Sequence, residues 1–279
     1  MQHETLRLKD YFPLLGQEYR DPTLDLYLSS NLAEMGWQDK KRPCLLICPG
    51  GAYAGISIRE KEPIALRFLP DGFNVFVLTY SVKPHSFPTQ LREVAAAMEL
   101  IYANAEAWHC DTDRIAIMGF SAGGHLAAHY SNCWNCPEVK AIFPDSKPVN
   151  ASVLAYPVIT ADPQHAHKES ILNLAGGAYP ETPEKQAFYS CEKLVTKGTP
   201  PTFLWHTVED RLVPVMNSLL YAQALTEKGV PYALHIYPYG RHGLATVDNE
   251  TMGVLPPEAN LAADWLPAAK KWLKVTFSL

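Results

Sequence analysis

No stretch of this 279-residue chain approaches the ~18–20 continuous apolar residues of a membrane span, so no membrane helix is expected. Basic residues are in deficit. Against 29 Asp and Glu stand 24 Lys and Arg, a net charge of −5, which predicts neither nucleic acid nor an anionic membrane surface as a partner. Cysteine is sparse. Cys44, Cys48, Cys110, Cys133, Cys136 and Cys191 are too few for a disulfide scaffold in a chain of this length. Cys44 and Cys48 flank an apolar run and read as buried small hydrophobes. Cys133-Trp134-Asn135-Cys136 has redox or zinc spacing but stands alone. A zinc site needs four ligands, so no metal and no cofactor are expected. The start, Met1-Gln2-His3-Glu4-Thr5, lacks a basic segment followed by an apolar one. A secretory signal is therefore not expected, and a reducing, cytoplasmic setting is. Repeats, low-complexity tracts and charge blocks are missing too. At 47% hydrophobic and 19% charged residues, disorder, a collagen-like fibre and a coiled coil are excluded.

What is present is an alternation of strands and helices. Residues 5–9 and 24–29 alternate in polarity between Gly, Pro and Asp, as antiparallel edge strands do. From Pro43 the pattern changes. Residues 44–48 (CLLIC) form a continuous apolar run, the mark of a strand buried on both faces. The runs at 74–80, 114–118, 152–156 and 202–205 repeat it, and 232–237 is a mixed example. Between them lie helical periods. Leu91, Val94, Ala95, Met98, Tyr102, Ala105 and Trp108 make one apolar stripe. Val215, Leu219, Ala222 and Leu225 make another, stopped by Gly229 and Pro231. Pro256 and Pro257 precede a last helix carrying Leu261, Trp265, Leu266, Ala269 and Trp272. This order predicts one α/β domain over 1–279, a mostly parallel sheet with helices on both faces. Residues 160–197, rich in Pro, Gly and His, read as a small insertion over the sheet's C-terminal edge. That edge is where open α/β sheets hold ligands.

Gly119-Phe120-Ser121-Ala122-Gly123 fits G-x-S-x-G. It follows the apolar strand at 114–118 and opens a helix at 124–130, the strand–turn–helix of a nucleophile elbow. Gly119 and Gly123 supply the small neighbours that a strained turn needs. The helix N-terminus favours developing negative charge, and the N–H of Ala122 can donate to an oxyanion.

With Gly124-His125-Leu126 after it, this segment resembles the elbow of α/β-hydrolase esterases. Pro49-Gly50-Gly51-Ala52-Tyr53 resembles their oxyanion loop. Within that superfamily the chain is most similar, over about residues 40–275, to bacterial acetyl esterases and acetylxylan-esterase-like sugar-ester hydrolases. Tyr156-Pro157-Val158-Ile159, Pro200-Pro201-Thr202-Phe203-Leu204-Trp205-His206 and Gly240-Arg241-His242-Gly243 belong to the likeness. Pro49 and Ala52 depart from the His-Gly-Gly-Gly loop of the lipase-like branch. That leaves a two-donor oxyanion hole, from Ala122 and one N–H in the Gly51–Ala52 stretch.

A serine hydroxyl is a weak nucleophile until a base takes its proton, and in this fold the chain order is Ser, Asp or Glu, His. Of ten histidines, order removes those before Ser121. His125 and His129 lie in the elbow helix, too close in sequence to reach over Ser121. His206 and His235 lie in strands and read as core histidines. His165 and His167 read as a surface loop, since nothing completes a metal site. His242 remains, in a glycine-shaped loop after the last strand, an exposed loop histidine being the alternative. The acid should leave the preceding strand's end, where Asp210 is the better candidate and Glu209 the rival. Asp210 also matches the acid of the family's Asp-x-x-Val-Pro pattern.

The expectation is thus a serine hydrolase for a small-molecule ester with a short acyl group, and the resemblance implies acetylated sugars or xylo-oligosaccharides as substrates. An arylformamidase or small peptidase shares the fold and order, and a non-catalytic binding module is a third possibility. Tyr53 and Tyr80 adjoin the site in sequence and are candidates to stack on or bond a sugar, with core packing the alternative.

Overall fold

The computed structural model describes residues 1–15, 21–254 and 256–279. Eight strands form one sheet: β1 (Gln2–Arg7), β2 (Thr23–Leu28), β3 (Arg42–Cys48), β4 (Asn74–Thr79), β5 (Cys110–Phe120), β6 (Ala151–Ala155), β7 (Thr202–Thr207) and β8 (Tyr232–Tyr237). Their order is β1-β2-β4-β3-β5-β6-β7-β8. β1 pairs β2 and β2 pairs β4 antiparallel; the remaining pairs are parallel. The chain steps from β3 outward to β4, then returns past β3 to β5. That reversal opens a crevice at the carboxyl ends of β3 and β5, where an open α/β sheet binds its ligand.

The apolar runs are continuous because each strand serves two cores. On β3, Leu46 and Cys48 face one core with Phe76, Val94 and Leu126, while Leu45 and Ile47 face the other with Phe68, Val75 and Trp265. The helices Thr89–Ala103, Ala122–Cys133 and Met216–Lys228 cover the first face; Glu62–Phe68 and Trp265–Thr276 cover the second. This is the expected α/β-hydrolase architecture. No helix among the described residues is long and apolar enough to cross a membrane.

Two helices differ from their sequence pattern. The stripe ending at Trp108 overruns its helix, which stops at Ala103. The following turn carries Trp108 back onto Phe76, with ring centres 5.6 Å apart, so the apolar spacing continues after the helix has ended. The last helix begins at Trp265 rather than near Leu261, after a 3₁₀ segment Pro257–Asp264. Pro267 requires this, because a proline fits the first turn and not the interior.

The helix after the nucleophile turn buries two histidines against aromatic rings. His129 stacks on Phe87 with centres 5.6 Å apart. Burial holds its pKa down to about 3 and that of His125 down to about 4. The unfolded chain binds these protons near ~6.5. Between those values the unfolded state carries more protons, so stability rises with pH there and is lost on acidification. Thermal midpoints should therefore fall between pH 7 and pH 4, and His129→Leu should shallow the fall. An equal slope in the variant would refute the burial argument.

Candidate active site

Ser121 stands on the turn between β5 and the helix Ala122–Cys133, with φ 53° and ψ −120°. L-residues rarely hold this conformation, and it lifts the hydroxyl clear of the sheet. The turn closes because its glycines carry no Cβ. One added at Gly119 would lie 2.2 Å from the Gly123 carbonyl, and one at Gly123 would lie 2.1 Å from that of Cys48.

Three side chains from three strand ends meet here. The Ser121 hydroxyl is 2.8 Å from Nε2 of His242, and Nδ1 of His242 is 2.5 Å from Oδ2 of Asp210. Asp210 is buried, and its other oxygen accepts from the N–H groups of Leu212 and Val213 at 2.9 Å each. Burial pushes its pKa up, but the hydrogen bonds from His206 and His242, the His242 charge and the Val213 N–H outweigh it. The carboxyl is held well below its ordinary range. An ionised Asp210 can only accept, so the His242 proton sits on Nδ1 and Nε2 is free to take one from Ser121. Tyr156 packs edge-on against the His242 ring at 5.0 Å.

The rival acid, Glu209, is exposed and points elsewhere: it accepts the N–H of Gly240 at 3.0 Å and so shapes the His242 loop. His206 is buried as expected, held by Ser218 and the Val213 carbonyl, with Nε2 3.3 Å from Asp210. His235 is not in the core: it is half-buried on the edge strand β8, where its ring stacks on Phe203 of β7.

The loop after β3 has nearly all its acceptors in use. The Gly50 carbonyl accepts from Ser57, Gly51 from Ala54 and Gly55, Ala52 from Asn173, and Tyr53 from Lys83. Gly51 has φ 130°, and a Cβ there would strike the Gly55 carbonyl at 2.1 Å. The N–H groups of Gly51, Ala52 and Ala122 donate to no group among the described residues. They are therefore available to a ligand beside Ser121.

Tyr53 and Tyr80 require correction. Both are wholly buried under this loop, the Tyr53 hydroxyl 3.0 Å from Nδ1 of His125 and the Tyr80 hydroxyl donating to the Pro49 carbonyl at 2.6 Å. They support the loop from below and present no surface to a sugar. His167 requires correction in the opposite sense. It is not on the surface. It precedes the helix Lys168–Leu174, turns inward, bonds Ser170 at 2.8 Å and lines the cleft over Ser121. Burial, and then the nearby His242 charge, lower its pKa. His165 stays half-exposed. Cys133 and Cys136 are free thiols packed on the core edge, and no group of three metal-ligating side chains occurs among the described residues.

Glu60 gave no signal in the sequence. It is buried, with Oε2 accepting from Gly50 N–H at 2.7 Å and Oε1 from the Tyr156 hydroxyl at 2.7 Å. That hydroxyl in turn accepts from Ala245 N–H at 3.0 Å. One carboxylate thus ties the loop after β3 to the loop of His242. Glu60→Gln should lower kcat by about 10–100-fold with KM changed less, because a displaced donor is felt mainly in the transition state. A variant that is less stable but keeps the kcat of its folded fraction would show that Glu60 only supports the fold.

A parallel sheet with its serine on the turn after a central strand, and a hydrogen-bonded histidine and carboxylate from later loops, is an α/β-hydrolase. The chain belongs to the BD-FAE family, whose profile matches residues 24–225. It is 39% identical over 240 residues to endo-1,4-beta-xylanase B of Butyrivibrio fibrisolvens, covering 82% of this chain and 35% of that one. It is 33% identical over 199 residues to the acetylxylan esterase of Xylanibacter ruminicola, covering 70% of this chain and 39% of that one. The chain thus spans little more than a third of the length of these two curated relatives. The solved acetyl ester-xyloside bifunctional hydrolase of Caldicellulosiruptor lactoaceticus superposes with a TM-score of 0.82 at 32% identity, covering 98% of this chain and 96% of that one. The resemblance to sugar-ester hydrolases is borne out.

Proposed function

We propose that this chain is a serine carboxylesterase that removes short acyl groups, chiefly acetyl, from sugars or xylo-oligosaccharides. The observation that carries the reading is the continuous Ser121–His242–Asp210 hydrogen-bond chain beside unused N–H groups. Ser121 Oγ attacks the ester carbonyl while Nε2 of His242 takes its proton. The tetrahedral oxyanion is held by N–H groups of Ala122 and of Gly51 or Ala52. His242 returns the proton to the departing alcohol, leaving an acyl-serine. Water, activated by the same histidine, then releases the acid and restores the hydroxyl. Asp210 holds the imidazole tautomer and stabilises the imidazolium.

The cleft supports a short acyl group. The cleft over Ser121 measures about 320 Å³, bounded by Leu212, His167 and the loop of Gly51 and Ala52. Its lining is mostly polar or charged, with Leu212 the one large apolar side chain, so a long acyl chain would gain little by entering. The resemblance of the chain to an acetylxylan esterase supports the sugar. The test compares kcat/KM on p-nitrophenyl acetate, butyrate and decanoate, then measures acetate release from acetylated xylo-oligosaccharides. Acetate should be the best ester and the sugars should release acetate. Higher efficiency on decanoate overturns the acyl assignment, and no release from any acetylated sugar overturns the alcohol assignment.

A further inference from the structure

We propose that the cleft prefers esters whose alcohol half carries a carboxylate, such as a uronic acid, and that Arg59 and Arg241 bind that group. This rests on the ester-hydrolase reading above. Both guanidinium groups line the same cleft as Ser121 and His242. Neither forms an ion pair among the described residues. Arg59 has only neutral partners, the Thr251 carbonyl at 3.5 Å and the Met252 sulfur at 3.2 Å. Arg241 is exposed at the rim, and the adjoining cleft, which shares Arg241 and His242, adds a third exposed cation, Arg211.

The nearby carboxylates are already engaged. Glu60 lines the same cleft but is buried, and its two oxygens accept from Gly50 N–H and the Tyr156 hydroxyl. Glu209 lines the adjoining cleft, exposed, with one oxygen on the Gly240 N–H and no ion pair to Arg211 or Arg241. A chain of net charge −5 therefore presents cations without ion-pair partners at the cleft that holds Ser121. Unpaired guanidinium groups around a partly enclosed cleft raise the local concentration of anions and pair with carboxylates through two parallel hydrogen bonds.

Position assigns the anion to the alcohol half. Nη2 of Arg59 lies 3.3 Å from where a Cβ on Gly243 would be, next to His242 in sequence. Arg241 is the other neighbour of His242. His242 is the group that protonates the leaving alcohol, so both arginines flank the departing sugar. A uronic acid is ionised at neutral pH, and the short acyl group carries no charge.

The experiment uses Ser121→Ala, which binds without turnover. Calorimetry compares mono-acetylated methyl β-D-glucuronoside with mono-acetylated methyl β-D-glucoside. The acid should bind about tenfold tighter at low salt, since a charge-assisted hydrogen bond contributes on the order of 1.5 kcal/mol. The ratio should shrink at high salt. It should fall toward one in Ser121→Ala/Arg241→Gln, whose exposed substitution leaves the core untouched, and fall also in Ser121→Ala/Arg59→Gln. Equal affinities, no binding of either sugar, or a preference that survives both substitutions overturns the proposal. Wild-type turnover of p-nitrophenyl acetate separates the two readings. If it proceeds while the sugars bind alike, only the anion preference fails; if it does not, the esterase reading fails.

Discussion

Ser121→Ala should reduce ester turnover by on the order of 10⁶-fold while leaving the fold intact. The hydroxyl is the proposed attacking atom, 2.8 Å from the nitrogen proposed to take its proton. Alanine removes that atom and nothing else of consequence. The side chain makes no helix cap, and the turn is held by backbone, with Ser121 N–H donating to the Ala155 carbonyl and the Ser121 carbonyl accepting from His125 and Val158. Alanine is tolerated at positive φ no worse than serine. Thermal unfolding should therefore match the wild type. Covalent labelling by a fluorophosphonate should occur in the wild type and vanish in the variant. A wild-type protein that never labels, or a variant that keeps more than about a hundredth of wild-type turnover, would overturn Ser121 as the nucleophile.

The central strands could be read from the sequence because each lies between two apolar layers, and a strand buried on both faces shows an unbroken apolar run; β1 is exposed except at Leu6, and it spans Gln2–Arg7 rather than 5–9, with a helical turn from Leu8. Leu45 to Cys48 needs only local composition to be recognised. The positions of Ser121, Asp210 and His242 were legible for another reason. Each follows a strand at the same edge of one sheet, so chain order and the strand pattern together bring them close. Glu60 had no such signal. Its partners are Gly50, ten residues away, and Tyr156, ninety-six away, and no periodicity encodes that pairing. Sequence proximity misled for Tyr53 and Tyr80. They adjoin the proposed site along the chain, but Tyr53 has φ 55°, and its ring turns under the loop toward Tyr80, 5.9 Å between centres. His167 shows the reverse. A histidine in a polar, proline-rich segment looks exposed, but the segment folds back, with Asn173 donating to the Ala52 carbonyl at 2.8 Å, and His167 turns into the cleft. Arg59 and Arg241 were legible only as charge, because their lack of ion-pair partners is a property of the folded surface.

Asp210→Asn should lower kcat by about 10⁴-fold with little change in KM or stability. The shape is conserved, and the amide oxygen can still accept the Leu212 and Val213 N–H groups that the carboxylate now holds. What changes is the group facing His242. An Asn amide nitrogen there donates to Nδ1 instead of accepting from it, so the neutral imidazole carries its proton on Nε2, toward Ser121. That nitrogen then cannot take the serine proton. The imidazolium formed during attack also loses the negative charge 2.5 Å from its Nδ1. Asp210 is not among the residues lining the cleft over Ser121, which is why KM should move little. Glu209→Gln is the control that separates the two candidate acids. Glu209 is exposed and holds only the Gly240 N–H, which a glutamine oxygen also accepts, so this variant should retain most of its kcat. Steady-state kinetics on p-nitrophenyl acetate for both variants decides the assignment. A large loss in Glu209→Gln with Asp210→Asn nearly normal would move the acid to Glu209. Equal, modest losses in both would mean that neither carboxylate sets the His242 tautomer.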